Sequence, residues 1–197
     1  MNIMEMEYFR PSGTNSSINI AILAIMIALT TVMTIVFQIP YPGTEGYFNL
    51  GDIMVMLSGL LMGPIGGFIA GGGGSALADI ATGYAYYAPI TLVVKGFEGM
   101  AVGYLGSRTL LKTRMSVMDI LAVIVGALIM LSGYFLAQVF LYGLPAALGE
   151  LVTTNLAQVA IGGVVTLLIG PTIRSYLRTI NFRGTDLEGS SQEMADD

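Results

Sequence analysis

The stretch INIAILAIMIALTTVMTIVFQI, residues 18–39, decides the fold class. It contains no charged side chain, and a helix of about 20 apolar residues is long enough to cross the hydrocarbon core of a bilayer. The sequence Pro40-Tyr41-Pro42-Gly43 follows directly and ends the apolar run. We therefore predict that residues 18–39 form a transmembrane helix.

Five further apolar segments follow, at residues 51–63, 64–82, 88–107, 117–142 and 147–172. The break between the first two of these falls at Gly63-Pro64, and both are short and rich in glycine, so a single re-entrant pair is the alternative. The whole chain of 197 residues is 54% hydrophobic and 11% charged, whereas soluble domains carry about 25% charged residues. We predict an all-α integral membrane protein with six transmembrane helices.

The positive charges predict how these helices are oriented. Seven of the eight Lys and Arg residues lie in three places on one side of a six-helix topology, namely Arg10; Arg108, Lys112 and Arg114; and Arg174, Arg178 and Arg183. Loops 40–50, 83–87 and 143–147, on the other side, contain no Lys or Arg. Because cytoplasmic loops are enriched in Lys and Arg, we predict that both termini are cytoplasmic and that the protein spans the cell membrane. The predicted parts are a cytoplasmic N-terminal tail, 1–17, a six-helix transmembrane domain, 18–175, and an acidic cytoplasmic C-terminal tail, 176–197.

The sequence lacks several residue types and motifs on which enzymes and metal sites commonly depend. It contains no Cys and no His, so thiol nucleophiles, disulfides and the commonest metal ligand are absent. No phosphate-binding GxxxxGK[ST] motif is present either. We predict a protein that is not an enzyme and that has no metal or cofactor.

Lys95 and Glu98 are the first candidates for a functional site, because ionisable residues at membrane depth are costly and usually functional. With Thr91 they share one face of the fourth predicted helix, at spacings of four and three residues. The pair could contact a ligand, or it could be a structural ion pair that closes on itself.

Two neighbouring predicted helices carry further polar groups in their outer halves. Tyr134, Gln138 and Tyr142 form a stripe on the fifth helix, and Asn155 and Gln158 share a face of the sixth. Tyrosines at a membrane boundary can be interfacial anchors, and amides can simply join helices. We favour a polar pocket open to the outside, because the cytoplasmic halves carry almost no such groups.

A loop and a helix surface are two further candidates, the loop for a movable lid and the helix surface for docking. Loop 40–50 could form a lid over the pocket with its aromatic and polar residues Tyr41, Glu45, Tyr47 and Asn49. On the first helix, Ala21, Ala24 and Ala28 form a surface of small side chains that allows close approach of another helix. Packing of this surface inside the protein is the alternative.

Four motifs resemble those of a known family. Asn49-Leu-Gly-Asp-Ile53, Leu60-Leu-Met-Gly-Pro-Ile-Gly-Gly67, Gly74-Ser-Ala-Leu-Ala-Asp79 and Lys95-Gly-Phe-Glu98 are similar to the S components of energy-coupling factor (ECF) vitamin transporters. The resemblance covers residues 18–175. It is closest to the branch assigned to riboflavin, hydroxymethylpyrimidine and pyridoxine-like substrates.

The resemblance implies a substrate-binding subunit that holds a vitamin near the extracellular face, beneath the loop after the first helix. It implies partners, namely a transmembrane coupling protein and two cytoplasmic ATPases that use ATP to drive uptake. It also implies docking at the alanines of the first helix and a pocket that uses Lys95, Glu98, Gln138, Asn155 and Gln158. The absence of Trp argues against thiamine, which family members stack on Trp. The alternative function is a stand-alone proton-coupled carrier or channel that uses Lys95, Glu98 and Asp79 as a proton relay.

Overall fold

The structure is a computed structural model that describes the backbone of residues 16–42, 44, 46–106 and 115–193, and side chains between residues 20 and 176 within those ranges. The predictions for Glu45 and for six of the eight cations lie outside the described side chains. Arg174 and Lys95 are the two cations that can be placed.

The described chain is mostly helical. Helix α1 (Ser16–Val36) leads into a two-stranded antiparallel hairpin, β1 (Ile39–Pro40) and β2 (Tyr47–Phe48), in which Ile39 pairs with Phe48. The remaining elements, in chain order, are α2 (Gly51–Gly67), a π-helical segment (Phe68–Gly73), α3 (Gly74–Ala81), α4 (Ala88–Gly106), α5 (Val117–Tyr142), α6 (Leu144–Glu150), a second π-helical segment (Leu151–Asn155) and α7 (Leu156–Glu193). Helix α7 continues beyond residue 175, the predicted end of the membrane domain.

Within the described residues, three stretches are long and apolar enough to cross a membrane, and a shorter apolar helix precedes them at Ile20–Val36. The three stretches are Gly51–Ala81, Val117–Tyr142 and Leu144–Tyr176. The outer surface is apolar, with Phe140 87% exposed, whereas Lys95 and Glu98 are almost completely buried. Apolar residues outside and charged residues inside are typical of a protein surrounded by lipid.

The first of these stretches reverses direction at Gly63, as its Gly-Pro sequence predicts. The backbone of Gly63 is not helical, with φ 76° and ψ −171°, a region that glycine adopts without steric cost. A Cβ atom added at Gly67 would lie 2.8 Å from the Cα of Gly59, although residues eight apart in a straight helix are separated by about 12 Å. The stretch is therefore a helical hairpin with two antiparallel arms, 51–62 and 64–81, which confirms the predicted break.

Glycines bring α4 into backbone contact with this helical hairpin. A Cβ atom at Gly99 would lie 2.3 Å from the carbonyl oxygen of Gly67, and one at Gly103 would lie 2.4 Å from the carbonyl carbon of Gly63. Small residues permit such close approach of helices. Helix α4 therefore lies in the centre of the protein, which places Lys95 and Glu98 among the other helices.

We expect Gly99→Ala to lower the free energy of unfolding by about 1–3 kcal/mol, because the added methyl group must push two backbones apart. Gly73→Ala is the matched control, because Gly73 is helical and a Cβ atom there would meet nothing within 4 Å. Thermal unfolding of both variants in the same detergent would measure the difference. Equal stability of the two variants would contradict the close packing of α4.

Candidate functional site

Side chains from six helices and from the β hairpin converge on one pocket. Its walls come from α1, α3, α4, α5, α6 and α7, with Gly46, Tyr47 and Asn49 above it. The cavity measures about 30 Å³, whereas typical ligand pockets measure about 300–1,000 Å³. The pocket therefore has to widen before it can hold a ligand of that size.

A buried triad of charged residues, Asp52, Lys95 and Glu98, lies at the floor of the pocket. The Lys95 ammonium group donates hydrogen bonds to Asp52 Oδ1 and to Glu98 Oε2, the latter at 3.0 Å. All three residues are at most 2% exposed. Lys95 also lies 5.6 Å from the centre of the Tyr134 ring, a distance at which a cation is attracted to an aromatic face.

Gln158 connects this floor to the segment above it. Its Nε2 donates to Asp52 Oδ1 at 3.0 Å, while its Oε1 accepts from the backbone N–H of Asn49 at 2.9 Å and from Asn49 Nδ2 at 3.0 Å. The side chain of Asn49 in turn accepts from the N–H of Gly51, where α2 begins. Through Gln158, the segment after the β hairpin is therefore attached to the triad.

Two further carboxylates hold the β hairpin over the pocket. Thr44 donates a 2.5 Å hydrogen bond to Glu150 Oε2, and the phenol of Tyr47 donates to Asp79. Burial and the adjacent Asp79 carboxylate raise the pKa of Tyr47, so this phenol stays protonated and keeps its donor role. The hairpin region thus contacts α3, α6 and α7 through Asp79, Glu150 and Gln158.

Four polar atoms that line the pocket have no hydrogen-bond partner among the described residues, namely Ser75 Oγ, Asp79 Oδ2, Tyr87 Oη and Asn155 Nδ2. The side chains of Ser75 and Asn155 are both 3% exposed. Buried polar atoms are nearly always satisfied in native proteins. These atoms are therefore available to hydrogen-bond a polar molecule that enters the pocket.

The predicted site residues are distributed as follows. Four of the seven predicted substrate-binding residues line the pocket, namely Lys95, Tyr134, Asn155 and Gln158. Glu98 lies beneath Lys95, and Gln138 lies behind Glu150 and donates to its Oε1. The phenol oxygen of Tyr142 is 3.0 Å from that of Tyr86 at an exposed position.

The predicted lid and docking residues can be placed in the same way. Tyr47 and Asn49 line the pocket, and Tyr41 lies against α6, where a Cβ atom at Gly149 would be 2.4 Å from its phenol oxygen. Glu45 lies outside the described residues. The remaining predicted residues, Ala21, Ala24 and Ala28, are exposed on the outer surface of α1.

Sequence reasoning left several residues of this site unassigned, and Asp52, Glu150 and Tyr87 show what signal each one carried. Asp52 occurs in the quoted Asn49–Ile53 motif, but a lone Asp in the first turn of a helix is also expected from the helix dipole alone. Glu150 carried a usable signal, because it is the one charged residue between Asp119 and Arg174. Tyr87 stacks on Tyr134 with ring centres 6.2 Å apart, and only the folded chain brings these rings together.

Comparison with known proteins gives one family and two relatives. The family model described as ECF-type riboflavin transporter, S component, matches residues 14–175. A Pyrococcus woesei protein described as an uncharacterized protein in a gap 3′ region is 39% identical over 148 residues, which are 72% of this chain and 97% of that protein. The thiamine precursor transporter HmpT of Lactococcus lactis subsp. cremoris is 30% identical over 155 residues, which are 78% of this chain and 86% of HmpT.

Proposed function

This chain belongs to the ECF-type riboflavin transporter S-component family, and we propose that it is the substrate-binding subunit of an ATP-driven ECF-type transporter. In this proposal it takes up a B vitamin or a vitamin precursor from outside the cell. The observation that carries the proposal is a pocket lined by polar side chains inside a protein with an apolar outer surface, with unpartnered buried groups at Ser75 and Asn155. Those groups suit a small hydrogen-bonding ligand better than they suit helix packing.

Five side chains that line the pocket have a proposed role in substrate binding. Lys95, Asn155 and Gln158 would hydrogen-bond a heterocycle, and the stacked rings of Tyr87 and Tyr134 would pack against its face. The candidate substrates are hydroxymethylpyrimidine, a pyridoxine-like vitamin and riboflavin. The first of these is supported by the 30% identity to HmpT, whose name describes a thiamine precursor transporter.

We propose that residues 40–50 form a lid that opens to admit the substrate. Support comes from the small cavity and from the three attachments of this segment, at Asp79, Glu150 and Gln158. Each attachment is one or two hydrogen bonds. A hydrogen bond between neutral groups contributes about 0.5–1.5 kcal/mol net, and one to a carboxylate contributes about 1.5–3 kcal/mol. These few hydrogen bonds are weak enough to break each time a ligand enters or leaves the pocket.

Substitution of Asn155 tests the pocket directly. We expect Asn155→Ala to weaken substrate binding by about tenfold, because a hydrogen-bond donor to the ligand is worth about 1–1.5 kcal/mol, while the protein stays folded. Ala157→Ser, an exposed position on α7, is the control. Isothermal titration with each candidate substrate measures the change, and unchanged binding of every substrate by Asn155→Ala would place the site elsewhere.

We further propose six membrane-crossing segments with both termini in the cytoplasm, each arm of the 51–81 hairpin counting as one segment. Single-cysteine labelling in intact cells is expected to modify positions 44 and 145 from outside and position 112 only after permeabilisation. The chain contains no native Cys, so every label reports the introduced residue. Labelling of position 112 from outside would contradict this topology.

The proposed partners are a transmembrane coupling protein and two cytoplasmic ATPases. Family membership supports them, since S components work with an ECF module. The exposed alanines of α1 are the proposed docking surface. ATP hydrolysis would belong to the partner chains, and this chain would contribute binding specificity.

A further inference from the structure

We propose that Asp79 and Glu150 make the pocket charge-selective, so that it accepts neutral or cationic ligands rich in hydrogen-bond donors and rejects phosphate esters. This inference rests on the proposed function and names the substrate class for it. A charge-selective pocket would bind the free vitamin or precursor and reject its phosphorylated form. This selection depends on the charge of the ligand more than on the identity of its ring.

The charges facing the pocket are predominantly negative. Among the described residues that line it, the charged side chains are Asp79, Lys95 and Glu150. The single cation, Lys95, already donates to both Asp52 and Glu98, and two carboxylates outweigh one ammonium group. No described Arg lines the pocket. An anionic ligand would therefore meet an excess of negative charge in surroundings that screen it poorly.

The lid supplies the donors that these carboxylates now use. Thr44 donates to Glu150 and Tyr47 donates to Asp79. A carboxylate is an acceptor only, so when the lid moves away, Glu150 Oε2 and Asp79 Oδ1 lose their donors, although Glu150 Oε1 still accepts from Gln138. An amino group or a ring N–H on the ligand would provide a new donor, whereas a phosphate would add a second acceptor beside each carboxylate.

The helix ends near the pocket offer no free anion site either. Helix α2 begins at Gly51, and Asp52 in its first turn already places a negative charge at this end. In helix α4, which begins at Ala88, Pro89 has no N–H, and the N–H of Ile90 is bonded to the carbonyl oxygen of Tyr87. The starts of α2 and α4 therefore lack the set of free N–H groups or the positive end that attracts phosphate to a helix N-terminus.

Unpartnered neutral groups distinguish this pocket from a cluster of acidic side chains alone. Ser75 Oγ and Asn155 Nδ2 are buried, face the same cavity and have no partner among the described residues. A hydroxyl and an amide can both bind a neutral heterocycle. Together with the carboxylates, they fit a small ring that carries amino and hydroxyl groups.

Matched pairs of compounds test this inference. The purified full-length protein in detergent at pH 7.5 would be titrated with hydroxymethylpyrimidine and its phosphate ester, with pyridoxamine and pyridoxamine phosphate, and with riboflavin and flavin mononucleotide. A phosphate ester carries about 1.5–2 negative charges near pH 7. Bringing these charges next to the carboxylates of the pocket lowers the affinity for the ester, because like charges repel. For each vitamin that binds, we expect its phosphate ester to bind at least about 30-fold more weakly.

Neutral variants separate charge from size. Glu150→Gln and Asp79→Asn keep the shape of each side chain and an oxygen that can accept from Thr44 or Tyr47. Each is expected to reduce the affinity ratio between the free and the phosphorylated compound by about fivefold or more, even where both affinities fall. The acetate ester of hydroxymethylpyrimidine, which is uncharged, should lose less affinity than the phosphate ester in the wild-type protein.

Three outcomes would overturn the inference. Equal affinity for a vitamin and its phosphate ester would show that the pocket does not discriminate by charge. A ratio that stays the same in both neutral variants would assign the discrimination to size. Failure to bind either member of any pair would contradict the proposed function itself, and the inference would fall with it.

Discussion

Replacing Lys95 with methionine is expected to lower the free energy of unfolding by about 3–5 kcal/mol and to abolish substrate binding. The ammonium group of Lys95 is hydrogen-bonded to Asp52 and Glu98, and all three residues are buried. Removing one member of a buried ion pair leaves its partner charged without compensation, which is among the most destabilising of single substitutions. Here two carboxylates would be left without their cation. Thermal unfolding and ligand titration of the same preparation would measure both effects.

Neutralising the whole triad provides the control for this result. Asp52→Asn, Lys95→Met and Glu98→Gln together remove all three charges, and we expect the triple variant to recover most of the lost stability without recovering binding. Lys112→Met makes the same chemical change in the predicted cytoplasmic loop and is expected to leave both properties unchanged. Wild-type stability of Lys95→Met would show that the triad is not the electrostatic centre of the fold.

Replacing Ala24 or Ala28 with leucine is expected to reduce uptake at least tenfold and to prevent co-purification with the coupling protein. Both alanines are exposed on α1, whereas Met26 and Thr30 on the same helix are buried. A larger side chain on a small-residue surface keeps two helices apart. Because this surface points away from the pocket, ligand binding by the isolated protein should change by less than about twofold.

Ala160→Leu is the matched control, because Ala160 is also exposed on a helix of the apolar outer surface. It should support both co-purification and uptake. Full uptake by Ala24→Leu and Ala28→Leu would exclude this surface as the docking site. A parallel loss of thermal stability and ligand binding in these two variants would instead favour packing inside the protein.

Much of the helical organisation could be predicted from local patterns. The apolar runs indicate the helices, and Gly63-Pro64 marks the reversal between the two arms of the 51–81 hairpin, because both features depend on neighbouring residues alone. The spacing of Lys95, Asn155 and Gln158 places each of them on a buried helix face. These residues line the pocket because polar groups in a lipid-facing position would be unsatisfied.

The partners of those residues could not be predicted, because they are distant in the sequence. Asp52 meets Lys95 across 43 positions, and Thr44 meets Glu150 across 106. No periodic pattern contains that information, which comes from glycine contacts between α2 and α4 and from the path of the β hairpin. The two π-helical segments, Phe68–Gly73 and Leu151–Asn155, were not predicted either, and the second one ends at Asn155, which lines the pocket.

In the proposed function, this chain binds a vitamin or its precursor but does not transport it alone. This can be tested by measuring uptake of radiolabelled hydroxymethylpyrimidine, pyridoxine and riboflavin into sealed vesicles, with the chain alone and with the chain reconstituted together with an ECF module. We expect saturable binding without accumulation by the chain alone, and accumulation only when the module and ATP are both present. Accumulation by the chain alone under an imposed proton gradient, without ATP, would contradict the proposed function and favour a stand-alone proton-coupled carrier.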